Sequence, residues 1–416
     1  MDNNELIPHL FRQESAKIIA VLCQQFGIGF IDAAEDITSE TFQAALETWP
    51  YKGVPENPAA WLFAVAKNKA INYHKRTQLF ETKISKSYLA AAAYAENPGF
   101  LENPVLIQDS QLQMLFCICH PAIGTSSQIS LALRVLCGFG IEEIAHALLT
   151  NKETVSKRIL RAKETLRKEQ VRVEMPEENK LQPRIQSVVR TIYLLFNEGY
   201  YSETSEAIIR EDLCTEAIRL GYMLTENSTT NLPETNALMA LMCFHSSRLP
   251  ARKSAKGEIV LYDDQDALQW NAELIARGAA YFHTSSTGAR ITKYHLEAGI
   301  AFWHTRKEDT QEKWEAILQL YNRLLQVEYS PIAALNRTFA LAKATGYEHA
   351  IVEAEKLKLV TNPYYFSLLG ELYRKIDPPK ALHHLQQAEL LSKNSTEKEL
   401  LRKKQEQLRN DSILTL

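Results

Sequence analysis

Apolar positions recur at helical spacing along almost the whole chain, and strand-like alternation is nearly absent, so the pattern predicts an all-α protein. Phe11, Ser15, Ile18, Ile19, Leu22 and Phe26 form one stripe of a first helix, Leu10 to Phe26, which Gly27 and Gly29 end. A second helix runs from about Asp32 to Trp49. Its apolar side is Ile37, Phe42, Ala45, Leu46 and Trp49, which leaves Asp32, Glu35, Asp36 and Glu40 largely outside. Three prolines make the stretch Pro50 to Pro58 a non-helical turn. A third helix starts at Pro58, a favoured first-turn position, and runs through Trp61, Leu62, Val65 and Ala66 to Lys75 and Arg76. The phase Trp61 shares with Leu62 and Val65 places it in the core rather than against a base.

Residues 79–106 read as a linker with a helical piece, and a second helical unit spans residues 107–168. Its last part has helix-turn-helix grammar. Gly140 serves as N-cap, Ile141 to Leu148 is a short helix, and Leu149-Thr150-Asn151 is the turn. The next helix begins either with the Thr150-x-x-Glu153 capping box or with Asn151 as its cap. Val155, Ile159, Ala162 and Leu166 share its buried face, and Lys157, Arg161 and Lys168 lie about 180° away. A basic face opposite an apolar one, entered through Lys152, Thr154 and Ser156, suits a helix that lies in the DNA major groove. Arg158, on the flank, is placed to pair with Glu142 or Glu143.

A charged linker, 169–183, leads to a long C-terminal part, 184–416, expected to be one helical array. Phe366, Leu369, Gly370, Tyr373, Ala381, Leu385 and Ala388 follow the tetratricopeptide order with one residue missing from the turn, and Ala334, Leu341, Ala350, Ala354 and Leu357 give a weaker copy. Pro331 and Pro363 mark the two starts.

Composition changes this picture little: 416 residues at 45% apolar and 23% charged exclude wholesale disorder and fit two to four globular units. There is no long uncharged apolar run and no basic-then-apolar leader, which argues against a membrane and for the cytoplasm. Six cysteines, mostly in apolar helical patterns, fit reduced thiols. Charge placement says more. Ile31 to Glu47 holds five acids and no base, whereas Ala60 to Ala90 holds six bases against Glu81, and Thr150 to Arg172 eight against three. An acidic helix followed by two basic blocks points to one basic protein surface and two contacts with nucleic acid. Cys117-x-Cys119-His120 lacks the second ligand pair of a zinc site, His383-His384 point about 100° apart, and Asp263-Asp264-x-Asp266 lacks the Gly and distal Glu of a calcium loop. No metal or cofactor is expected. Neither a phosphate-cradling glycine loop nor a nucleophile elbow is present, so the chain does not read as an enzyme.

Asp32-Ala-Ala-Glu-Asp36, Glu40-Thr-Phe42, Trp49-Pro50 and Asn57-Pro-Ala-Ala-Trp61-Leu62 with Asn68 and Ala70 resemble region two of extracytoplasmic-function RNA polymerase sigma factors. Leu131-x-x-Arg134, Glu143-Ile-Ala145 and Thr154-Val-x-x-Arg158-x-x-Arg161-Ala162-Lys163 are similar to region four. Ile192 to Tyr200, Asp212 to Arg219, Asp264-Gln-Asp266 with Trp270, and Ala334 to Arg337 resemble the subfamily with a large tetratricopeptide-like extension. Ser39, Gly140-Ile141 and Cys117-Ile-Cys119 depart from the family's pattern.

The resemblance implies two small helical sigma domains, 1–78 and 107–168, and a regulatory array. Asp32, Glu35, Asp36 and Glu40 would bind core RNA polymerase. Asn57, Lys67, Asn68, Lys69, Asn72, Lys75 and Arg76 would handle the minus-ten element of promoter DNA. Lys152, Thr154, Ser156 and Lys157 would read the minus-thirty-five element, with Arg161 and Lys163 on phosphates. Asn197, Glu198, Tyr200, Asp264, Gln265 and Asp266 are candidate regulatory contacts, and the array would take a protein or peptide ligand. The residues leave an alternative open: a helix-turn-helix regulator with a tetratricopeptide sensor and no role with polymerase.

Overall fold

The computed structural model describes residues 3–81, 104–200, 210–252, 260, 262–392 and 395–413. Its secondary structure is helical, with no strand among the described residues. Two compact units divide the chain, Met1–Leu195 and Phe196–Leu416.

In the N-terminal unit, α1 (Asn3–Phe26) packs against α2 (Ile31–Lys52), α3 (Pro58–Glu81) and α4 (Pro104–Ile118). Ile18, Leu22, Ile31, Trp49, Leu62, Leu115 and Phe116 are among its most deeply buried side chains. Phe11 meets Phe42 edge-on at 4.9 Å, and Trp49 meets the half-buried Trp61 at 5.4 Å. Gln24 of α1 bonds both Gln113 (2.9 Å) and Ser110 (2.8 Å) of α4, so the first three helices and the following segment form one body. Residues 82–103, most of the expected linker, lie outside the described residues.

One expected boundary is corrected. Helix α2 continues through Pro50 to Lys52. In a last turn, proline forgoes a single backbone hydrogen bond, and the helix ends where Gly53, at φ 81°, donates to the Trp49 carbonyl.

Three helices follow, α5 (Thr125–Val135), α6 (Ile141–Ala147) and α7 (Lys152–Lys168), the last two over the segment expected to be a helix-turn-helix. Gly140 precedes α6, and its N–H donates to the Glu143 carboxylate at 2.7 Å. Of the two possible caps for α7, Asn151 is used: its Oδ1 accepts the Thr154 N–H at 2.8 Å. Helix α8 (Glu178–Tyr200) already starts inside the expected linker and runs on through Pro183. Its first turns belong to the N-terminal unit, where Arg184 donates to the Phe116 carbonyl (2.5 Å) and Thr191 to Gln128 (2.8 Å).

The C-terminal unit continues with α9 (Glu211–Glu226), α10 (Pro233–Ser247), α11 (Ala272–Ser285), α12 (Lys293–Trp303), α13 (Gln311–Val327), α14 (Pro331–Thr345), α15 (Tyr347–Leu357), α16 (Pro363–Tyr373), α17 (Pro378–Leu391) and α18 (Ser395–Ile413). Helix α10 is buried on nearly all sides from Thr235 to Phe244, which makes it the centre of the first half. From α12 onward each helix packs on the next. Ser330, Asn362 and Asp377 each cap a helix whose first residue is proline, which fixes where α14, α16 and α17 begin. Ala350, Ala354, Leu369, Leu372, Ala381, Leu385 and Ala388 form one continuous core.

Gly199 marks the tightest approach near the start of this unit. A Cβ there would sit 2.7 Å from the Arg210 carbonyl oxygen and 2.9 Å from Cys214 Sγ, and the Arg210 N–H donates to Gly199 itself at 3.0 Å. The neighbour is backbone and has little room to move. Gly199→Ala should therefore destabilise the protein by about 1–3 kcal/mol. Urea denaturation followed by circular dichroism should show a lower midpoint; an unchanged one would contradict this packing.

Candidate functional site

Of the four acids of α2 expected to bind polymerase, three are already engaged inside the N-terminal unit. Glu35, whose side chain is 13% exposed, accepts Arg134 Nε at 2.7 Å and also the Lys163 ammonium. Asp32 accepts Lys163 at 2.7 Å and the Arg167 guanidinium. Glu40, on the outer face, pairs with Lys69 of α3 at 2.8 Å. Asp36 is exposed. The acids and bases that read from sequence as facing separate partners thus meet one another.

Lys163 is the principal departure from the expected sites. It reads as a phosphate contact, yet its side chain is only 7% exposed and its ammonium lies between Asp32 and Glu35. The spacing explains why. Lys163 follows Ile159 by four residues and precedes Leu166 by three, so it falls within the buried stripe of α7, and Arg167 repeats the position one turn on. Asp32 and Glu35 are three apart on α2 and offer a matching pair. Arg134 and Arg167 complete the cluster; the i, i+4 spacing of Lys163 and Arg167 opposite an acidic i, i+3 pair is the signal that could have found it.

Burial alone would raise the Asp32 carboxyl, but hydrogen bonds from Lys163 and Arg167 outweigh it and hold the group below its ordinary 3.8. Arg158 does not take the pairing expected of it: Glu142 pairs instead with Lys152, from the N-terminal turn of α7.

On α3, four of the residues expected to meet nucleic acid lie together. Asn68, Asn72, Lys75 and Arg76 are all exposed and share one face at i, i+4, i+7 and i+8. Lys67 and Lys69 are half-buried at its edges. Asn57 is occupied as the helix cap, accepting the Ala60 N–H at 3.0 Å. Tyr51, in the last turn of α2, is 89% exposed, an aromatic ring available for stacking that the periodicity gives no reason to single out. On α7, Lys157 and Arg161 are exposed one turn apart, whereas Thr154 and Ser156 are half-buried.

The candidate regulatory residues separate. Tyr200 and Gln265 are buried within the C-terminal unit, while Glu198, Asp264 and Asp266 are exposed; Asp266 caps a short turn by accepting the Leu268 N–H at 2.9 Å. Burial pushes the Cys117 and Cys119 thiols up to about 12, and among the described residues no group of three or more His, Cys, Asp or Glu side chains is arranged for a metal. No described helix is long and apolar enough to cross a membrane.

Comparison with known proteins matches residues 10–79 to sigma-70 region 2. Residues 184–286 match a family of unknown function, DUF6596. A protein of Rhizobium meliloti (strain 1021), named "Uncharacterized protein R00370", is 34% identical over 351 residues, which cover 83% of this chain and 82% of that one. No solved structure matches.

The lowered Asp32 carboxyl has a thermodynamic consequence with a definite sign. A folded-state value below the unfolded one adds stability that is present above about pH 4 and lost as pH falls through the folded value. Asp32→Asn should remove part of the acid-side slope of thermal stability, with the wild-type and variant midpoints converging as the pH drops below that range. Parallel pH profiles for the two proteins would contradict the pairing.

Proposed function

The chain belongs to the sigma-70 family, and to one family with its Rhizobium meliloti relative, and from that premise we propose that it is an extracytoplasmic-function sigma factor with a fused regulatory C-terminal unit. As a sigma factor it acts in transcription initiation, with core RNA polymerase and promoter DNA as its partners. The observation that carries the finer reading is the cluster of Asp32 and Glu35 with Arg134, Lys163 and Arg167. An acidic helix face that collects three basic side chains in the free chain is one for which a basic polymerase surface can compete.

The exposed face of α3, with Asn68, Asn72, Lys75 and Arg76, takes the minus-ten strand, and Tyr51 stacks on an unpaired base. Lys152 and Lys157 of α7 reach base edges of the minus-thirty-five element, while Arg161 meets phosphates. These two elements lie roughly 25 base pairs apart, on the order of 85 Å at 3.4 Å per pair. Helix α2, to which α7 is tied, spans only about 33 Å at 1.5 Å per residue. Promoter engagement therefore requires α7 to leave α2. Docking of Asp32 and Glu35 on polymerase supplies new cationic partners to the acids and frees Lys163 for phosphate in the same exchange. The alternative of a regulator without polymerase is not favoured, because region two is the part that such a regulator has no use for.

Run-off transcription on fragmented genomic DNA with purified core polymerase tests the reading. Discrete transcripts that require this chain are expected, and Asp36→Lys, at an exposed site, should lower holoenzyme assembly at least tenfold in pull-downs without changing the circular dichroism spectrum. No chain-dependent transcript from any fragment, or undiminished assembly of the variant, would overturn it.

A further inference from the structure

A second concentration of charge lies wholly within the C-terminal unit, around the ring of Tyr262. The Lys313 ammonium is 5.1 Å from the ring centroid, and the Arg248 guanidinium is 5.3 Å away. Trp270 stacks on the same ring at 6.1 Å and His304 meets it edge-on at 5.2 Å. Arg248 is 8% exposed and Lys313 2%. Lys313 is satisfied without a carboxylate, by the Tyr262 hydroxyl (2.9 Å) and by the carbonyls of Arg306 (2.6 Å) and Glu308 (3.3 Å).

Arg248 is not satisfied in this way. Its Nη2 reaches the Tyr200 hydroxyl at 3.3 Å, its Nε has no hydrogen-bond partner, and no ion pair joins it to a carboxylate among the described residues. A guanidinium cannot shed its proton to escape burial, so a buried one without a carboxylate is strongly unfavourable unless another anion meets it. Of the rings packed on Tyr262, Trp270 leaves its Nε1 and His304 its Nδ1 buried without a partner. Native interiors leave few such groups, and three bordering one aromatic ring form a set. Burial and the neighbouring cations of Arg248 and Lys313 push His304 down to about 3, so the imidazole stays neutral and adds no charge of its own.

We propose that this cluster binds a small organic oxyanion, a carboxylate or phosphate ester, with Arg248 as its charge partner and Trp270 as a second donor. Tyr200 comes from one of the two motifs whose roles the sequence leaves open, and here it supports Arg248. The site goes beyond the polymerase reading and does not depend on it.

Isothermal titration of the full chain with inorganic phosphate, phenyl phosphate and benzoate, at ionic strength matched with chloride, tests the proposal. Saturable binding of at least one probe is expected; a preference for phenyl phosphate or for benzoate identifies the anion class. Arg248→Lys, which keeps a charge but loses the planar fork, should weaken that binding at least tenfold, and Trp270→Phe, which keeps a ring but loses the N–H, should weaken it severalfold. In chloride alone, Arg248→Met should melt above the wild type, because it removes a buried charge that lacks a counter-ion. Absence of saturable binding for all three probes, or equal binding by wild type and both Arg248→Lys and Trp270→Phe, would overturn the proposal.

Discussion

The arrangement of the N-terminal unit depends on where the Lys163 ammonium goes. An ammonium with 7% of its side chain exposed needs anionic or hydrogen-bonding partners close at hand, and α2 supplies both Asp32 and Glu35. Because Lys163 sits in the apolar stripe of α7, the same contact fixes the face of α7 that is hidden and the face, with Lys157 and Arg161, that is presented. Arg134 ties α5 to Glu35 as well. Three cations from two helices therefore converge on two carboxylates of a third.

A latch made of charges behaves differently from one made of apolar surface. The attraction within the cluster is offset by the desolvation of each ion, so its net contribution is much smaller than its Coulomb energy. A competing surface of the right sign needs only to offer the acids equivalent partners, while DNA phosphates offer the same to Lys163. Both halves of the cluster are thus matched to the two kinds of macromolecule with which a sigma factor works. An apolar latch of equal area would have to expose hydrocarbon to open, with no partner of either kind suited to receive it.

Local rules made much of this structure legible. The helical character, the Gly140 start of α6, the Asn151 alternative for α7 and the proline starts of α14 and α16 follow from periodicity and capping alone. Pro50 reads as a helix stop, yet α2 runs through it, because the rule against proline in helices weakens in a last turn. The ion-paired cluster was not legible as a contact, since residues more than a hundred positions apart meet there and charge on an amphipathic helix reads by default as solvent-facing. The phase of Lys163, within the buried stripe of α7, is the signal that argues against a solvent-facing role for it. In the C-terminal unit, small residues at helix crossings were visible as repeats, whereas the ring of Tyr262 gathers Arg248, Trp270, His304 and Lys313 from separate elements and follows only from tertiary packing.

The central claim is that α7 is held on α2 in the free chain and leaves it on polymerase. Spin labels at cysteines introduced for the exposed Glu47 of α2 and Glu164 of α7, in a chain whose six native thiols are buried, report that separation directly by pulsed electron resonance. The account predicts one short distance in the free protein, shifted outward by tens of ångströms when core polymerase is added. A separation that stays short in the polymerase complex, or one that is already long and broad in the free chain, would contradict it.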